Sequence, residues 1–191
     1  MSYFTQIFDL PILNLEKELG NLIESKKIQW HNSNQICINT LPSHPDDYLI
    51  GTGSLMYDWE NKKRIEKSDG TVEYEVPERT NPRHESDFSI LCTVFKDSLF
   101  EEIYQSIQTK YKLGRIRLMK MKPKTCLSWH MDDCIRIHYP IKTDKGCMMI
   151  IDQEVKHMPA NTWWQTNTLP YHTAINASKI DRIHLVASVL E

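Results

Sequence analysis

After Gly114 the chain loses helical periodicity and runs on as seven short strand-like segments in roughly 75 residues. They read RIRLMKM, CLSWH, IRIHYPI, CMMIID, TWWQTN, YHTAINA and RIHLVASVL, separated by turn material such as KPK, TDKG, MPAN and NASKID. A parallel sheet needs crossovers of a dozen or more residues, usually helical, and none fits between these segments. The pattern therefore predicts a mainly β fold, an antiparallel barrel or sandwich. A barrel of this size holds one small ligand among its inward-facing side chains.

The first half has a different texture. Residues 9–27 carry Leu13, Leu15, Leu19, Leu22 and Ile23 at helical spacing and predict an amphipathic helix. QICINT (35–40) alternates like a strand. Residues 41–86, rich in Pro, Gly, Asn, Asp and charge, predict irregular structure with one or two short strands such as TVEYEV (71–76), as a lid or substrate-facing extension or a plain surface excursion. A second helix is expected over 97–114, capped by Asp97 or Ser98, with Glu101 and Glu102 in its first turn and Lys110, Lys112 and Gly114 closing it. At 191 residues this makes one domain: a helical and irregular portion, 1–112, supporting a β core, 113–191.

The bulk numbers exclude several function classes. A net charge of -2 and a pI near 6.4 leave no basic face for nucleic acid. No apolar run approaches a membrane span, and the acid-bearing start (Asp9, Glu16, Glu18) does not read as a signal peptide. Five cysteines without a CxxC pair read as reduced, mostly core-filling thiols of a cytoplasmic protein. The expected partner is a small molecule or a peptide substrate.

SWHMDDCIRIHY (128–139) carries the chemistry. In an extended segment residues two apart point the same way, so His130 and Asp132 present an imidazole and a carboxylate to a common point. A second histidine would complete the two-histidine, one-carboxylate triad that leaves positions open on non-haem iron. The distal candidates are His138, His157, His172 and His184. A site that takes 2-oxoglutarate also needs a cation deep in the barrel, and arginine suits a carboxylate because it binds in two parallel hydrogen bonds and stays charged. Only His172 has an arginine ten residues on, Arg182, which selects it. Arg136 and His138 also share a strand face, and an acid ligand would satisfy them.

These segments together, RIRLMKMKP, WHMDD, RIHYPI and YHTAINASKIDRIHLVASV, resemble the aspartyl/asparaginyl β-hydroxylase family of iron- and 2-oxoglutarate-dependent oxygenases over about residues 113–190. The resemblance implies a double-stranded β-helix, or jelly-roll, core with flanking N-terminal helices. It implies Fe(II) on His130, Asp132 and His172, and 2-oxoglutarate contacts from Arg136, His138 and Arg182. O2 would be the oxidant, with hydroxylation of an amino acid, free or in a peptide, and release of succinate and CO2. The animal aspartyl hydroxylase lacks the carboxylate ligand that Asp132 supplies, so in this the chain is more like the bacterial free-amino-acid hydroxylases. A carboxylate ligand also favours hydroxylation over halogenation, since a halide needs that position. Met119 departs from the pattern where a small hydroxyl residue would help hold the co-substrate.

Of the remaining residues, Trp129, Trp163 and Trp164 read as barrel packing. Tyr171 reads as packing directed away from the metal, and Asp133 as a cap or a solvent-facing acid. Arg115 and Arg117 share a face, suited to a substrate carboxylate or to surface pairing. Two competing functions are a catalytically silent cupin-like module binding metal or a small acid, and a metal hydrolase or isomerase on a similar barrel.

Overall fold

A computed structural model describes residues 2–30 and 32–190. In chain order the elements are β1 (Phe4–Ile7), α1 (Leu15–Glu24), β2 (Gln35–Cys37), β3 (Asn39–Thr40), β4 (Lys63–Glu66), β5 (Val72–Glu75), β6 (Ile90–Leu91) and α2 (Leu99–Gln108). Eight strands follow: β7 (Leu113–Met121), β8 (Thr125–Cys126), β9 (Arg136–Lys142), β10 (Cys147–Ile151), β11 (Glu154–Lys156), β12 (Trp163–Thr166), β13 (His172–Asn176) and β14 (Arg182–Val189). With β1 and β2 they form a six-stranded sheet, β1-β12-β9-β14-β7-β2, and a four-stranded sheet, β11-β10-β13-β8, in which every pairing is antiparallel. This is the mainly β, antiparallel architecture that the strand run predicts and the jelly roll that the family resemblance implies.

The large sheet is buried on both faces, and the two faces differ in chemistry. Its outer face presents Ile116, Leu118, Ile137, Tyr139, Ile141 and Leu185 to α1 and α2, which answer with Leu15, Leu19, Leu22, Phe100, Ile103 and Ile107. Each such buried side chain contributes roughly 1.5–3 kcal/mol. Its inner face looks toward the four-stranded sheet. At one end Phe4, Met149, Ile151, Met158 and Trp164 close the gap with apolar contacts. The rest of the inner face is polar. Register places Arg117, Val186, His138 and Trp164 side by side across β7, β14, β9 and β12, so they share that face.

Several boundaries differ from expectation for local reasons. The first helix begins at Leu15, because the Asn14 side chain accepts from the Lys17 N–H at 3.2 Å and caps it. Residues 11–13 are instead pinned to the barrel: Tyr139 Oη bonds the Leu13 N–H and C=O, and Trp163 Nε1 donates to the Pro11 carbonyl. Ser98, one of the two expected caps, does cap the second helix, bonding the Phe100 N–H at 3.2 Å. Gly114 does not close that helix, which ends at Gln108. The glycine lies inside β7, where an added Cβ would meet the Glu85 Cβ at 2.7 Å and the Ser188 Cβ at 3.1 Å. The 35–40 strand is two short ones, β2 and β3, on either side of Ile38. Residues 41–86 hold the exposed β4–β5 hairpin and otherwise irregular chain. No sequence signal was read for β1 or β11, yet β1 pairs with β12 at one edge of the large sheet.

Candidate metal centre

His130 and His172 sit on neighbouring segments of the four-stranded side and exchange both backbone hydrogen bonds, at 3.1 and 2.9 Å. Their rings stand 4.2 Å apart between centroids. Each Nδ1 lies against the carbonyl two residues earlier: His130 to Ser128 at 2.8 Å, His172 to Pro170 at 3.0 Å. A carbonyl only accepts, so both Nδ1 atoms carry a proton, and Nε2 is the nitrogen of each ring left to face a metal. The Asp132 N–H donates to the Thr168 carbonyl at 3.0 Å, holding its carboxylate over the same point, with Oδ2 3.6 Å from His172 Nε2. One donor atom from each of the three residues lies within 4.8 Å of the others.

The carboxylate is held ionised. Burial would raise its pKa, but the 2.9 Å bond from Arg136 Nε and the guanidinium charge outweigh it and hold Asp132 at about 2. Arg136 also donates through Nη1 to the Ser188 hydroxyl and to Glu85 Oε1. Glu85 in turn chelates Arg115, whose Nε and Nη2 reach its two oxygens at 3.1 and 3.0 Å. Despite burial, these two arginines hold Glu85 at about 2. Arg115 Nη1 completes the cluster by donating to the carbonyls of Gly51 and Gly53. Glu85 is the functional residue that the sequence did not reveal: it lies in a segment without periodicity, and nothing local marks its long-range partners.

A cavity of about 790 Å³ opens from this point between the sheets, lined by His130, Asp132, His172, Arg136, His138 and Arg182 among others. All six residues expected at the site therefore meet in one place. Arg182 is buried, and among the described residues its guanidinium hydrogen-bonds only Met121 Sδ and His184 Nδ1, the latter at 3.1 Å. Neither ring nitrogen of His138 has a hydrogen-bond partner among the described residues. Burial, with the charges of Arg182 and Arg136, pushes His138 down to about 3, so it is neutral. Arg136 lines the same wall but already spends Nε and Nη1 on protein acceptors. Met119 lines the cavity, as the departure at that position implies. The other distal candidates stand elsewhere: His184 lies behind Arg182, and His157 bonds the Cys147 carbonyl.

Trp129 and Tyr171 do not pack. Both are more than half exposed, because the 127–131 segment and the turn before β13 lie at the rim. Trp163 and Trp164 are buried as expected, and Asp133 is exposed. Arg115 is a buried clamp rather than a surface residue. From residues 41–86, Leu55, Met56, Tyr57 and Trp59 line the mouth of the cavity.

The fold is a jelly roll whose cavity brings two histidines and a carboxylate to one point, a candidate metal site. The chain belongs to the aspartyl/asparaginyl beta-hydroxylase family, whose model matches residues 56–191. No curated protein matches the sequence. Among solved structures, it is similar to an oxidoreductase of the 2OG-Fe(II) oxygenase family from Burkholderia pseudomallei, at 9% identity and a TM-score of 0.39 over 95% of this chain and 92% of that one. It is also similar to a cupin domain from Bordetella pertussis Tohama I, at 11% identity and TM-score 0.37 over 42% of this chain and 84% of that one. AerE from Microcystis aeruginosa matches at 16% identity and TM-score 0.36, over 40% of this chain and 36% of AerE. Among the described residues no helix is long and apolar enough to cross a membrane.

Proposed function

We propose that this protein is an Fe(II)- and 2-oxoglutarate-dependent dioxygenase that hydroxylates an amino acid, free or as an Asp/Asn-type residue in a peptide. The observation that carries the reading is the convergence of His130, Asp132 and His172 in a cavity that also holds a buried guanidinium, Arg182, with no carboxylate partner among the described residues. The donor set fits a divalent ion in its chemistry as well as its position: two imidazoles whose Nδ1 atoms are engaged by carbonyls, leaving Nε2 as the donor atom, and one ionised carboxylate. Three protein donors leave further positions open, which suits iron oxygenase chemistry.

When bound, Fe(II), 2-oxoglutarate and O2 supply oxidation of a C–H bond to C–OH, with 2-oxoglutarate leaving as succinate and CO2. The chain's own residues do the rest. Carbonyls 128 and 170 fix the imidazole tautomers, and Arg136 fixes the Asp132 carboxylate, the outer-shell support that metal ligands need. Arg182 would take the far carboxylate of 2-oxoglutarate in its planar fork. The orphaned nitrogens of His138 supply a further neutral hydrogen-bonding group, and Arg136 closes the cradle beside it. Residues 55–59 cover the mouth and limit water entry. The five unpaired thiols accord with a cytoplasmic enzyme.

Anaerobic titration of the protein with Fe(II) and 2-oxoglutarate tests the reading. A weak visible charge-transfer band is expected in the wild type and its loss in His172→Ala. No band, together with no succinate release on aeration across a panel of amino acids and peptides, would leave a silent metal- or acid-binding module instead.

A further inference from the structure

The reading above gives Arg182 to the far carboxylate of the co-substrate without saying what aims it. Arg115 and Arg136 are oriented by carboxylates, the first by Glu85 and the second by Asp132 and Glu85. Arg182 has no carboxylate partner among the described residues, although it is buried. Its Nη1 reaches the Met121 thioether at 3.6 Å, a weak acceptor, and its Nη2 lies 3.1 Å from His184 Nδ1. Met119, beside His184 in the register and lining the cavity, has no donor with which to share a carboxylate. A guanidinium grips a carboxylate only in its own plane, so one that must be immobilised on binding grips more weakly than one already held.

His184 is the group that holds it. It stands two residues from Arg182 in β14, on the same face, and is 1% exposed. A guanidinium only donates, so His184 Nδ1 accepts, the ring is neutral and its proton sits on Nε2. That Nε2 is buried with no hydrogen-bond partner among the described residues. The register neighbours, Met119 and Pro140, bring no polar side chain to it, and the His138 ring stands edge-on at 5.8 Å and 79°. An apolar residue would fill this place without burying an unpaired N–H, which costs stability. What the imidazole supplies in return is one acceptor, and Arg182 takes it.

We propose that His184 is the positioning residue for Arg182: its Nδ1 takes one guanidinium N–H and turns the remaining N–H groups toward the cavity, ready for the far carboxylate of 2-oxoglutarate. The inference rests on the oxygenase reading for that carboxylate. His184 itself touches neither the co-substrate nor the three converging donors.

The test is calorimetric binding of 2-oxoglutarate to the full chain loaded with Mn(II). Two substitutions divide the side chain's properties. His184→Phe keeps a ring to pack against His138 and removes the acceptor, whereas His184→Asn keeps an acceptor near the place of Nδ1 and removes the ring. A positioning role predicts at least about tenfold weaker binding in His184→Phe and affinity within about threefold of wild type in His184→Asn; a packing role predicts the reverse order. In an Arg182→Gln background His184→Phe should change affinity less than about twofold, because the group it positions is gone. Should His184→Phe fail to fold, His184→Leu, which also lacks the acceptor, takes its place with the same expectation. Full affinity in the folded acceptor-less variant overturns the inference. So does a loss as large in His184→Asn, or one that persists undiminished beside Arg182→Gln. A wild type that binds no 2-oxoglutarate sinks the oxygenase reading and this inference together, whereas a wild type that binds it and an acceptor-less variant that binds it equally sink this inference alone.

Discussion

Replacing Glu85 by glutamine should separate the 41–86 segment from the barrel without touching His130, Asp132 or His172. The Glu85 carboxylate is the counter-charge for Arg115 and Arg136, at 3.0 and 3.3 Å, with Arg117 also in its field. A carboxyl held at about 2 in the fold, against about 4.5 when free, contributes about 3 kcal/mol at neutral pH. Breaking one side of a buried ion pair costs about 3–5 kcal/mol, which agrees. Glu85→Gln should therefore lose about 3 kcal/mol in urea denaturation at pH 7, or about 6–12 °C in Tm for a chain of this size. Because the folded pKa is depressed, this stabilisation is fully present above pH 4.5 and disappears as pH falls through about 2. Wild type and variant should converge in acid. The segment between Ser54 and Arg83 should also become sensitive to limited proteolysis, since Arg115, released from Glu85, no longer braces the carbonyls of Gly51 and Gly53. A loss under about 1 kcal/mol at pH 7, or a gap that persists unchanged at pH 2, would refute this account.

Further outcomes are as specific. Gly114→Ala should cost about 1–3 kcal/mol in chemical denaturation, since its Cβ would fall 2.7 Å from that of Glu85 with Ser188 behind it. His138 is held at about 3, below a free histidine, so the unfolded chain takes up its proton first. Stability should thus be complete above pH 6.5 and fall by up to about 1.4 kcal/mol per pH unit toward pH 3, and His138→Phe should flatten that limb. Arg182→Gln should weaken 2-oxoglutarate binding at least about tenfold by calorimetry while leaving the urea midpoint at or above that of the wild type. Trp129→Ala should shift stability by no more than about 0.5 kcal/mol, because the ring is more than half exposed at the rim.

What could be read from the sequence divides along a physical line. Strand alternation and turn residues are local, so the seven segments of the core were legible. The three side chains that converge in the cavity were legible because His130 and Asp132 sit two apart in extended chain and Arg182 follows His172 at a fixed offset. The resemblance to a family reinforced both. Features made by distant partners were not legible. Gly114 reads as a helix stop until Glu85 and Ser188 press against it. Trp129 and Tyr171 read as packing by hydrophobicity alone, although nothing near them in sequence says that their segments run along a rim. The true start of α1 depended on Tyr139 and Trp163 capturing the backbone of residues 11–13, more than 120 residues away in the chain.

The inner face of the large sheet explains why such a site needs so much support around it. Arg117, Arg136, Arg182 and His138 all leave β7, β9 and β14 on one buried side, while Asp132 and Glu85 are the carboxylates that neutralise part of that charge. Left alone, this face opposes folding, and the apolar outer face packed on α1 and α2 offsets the cost. The excess is not spread evenly: on this sheet face two guanidinium groups, those of Arg117 and Arg182 at separate ends of the cavity, are the ones without carboxylates among the described residues. A metal bound by Asp132 adds positive charge between them and deepens the imbalance. Anionic groups at the two ends would offset part of that excess, which is the electrostatic condition for a diacid to enter the cavity.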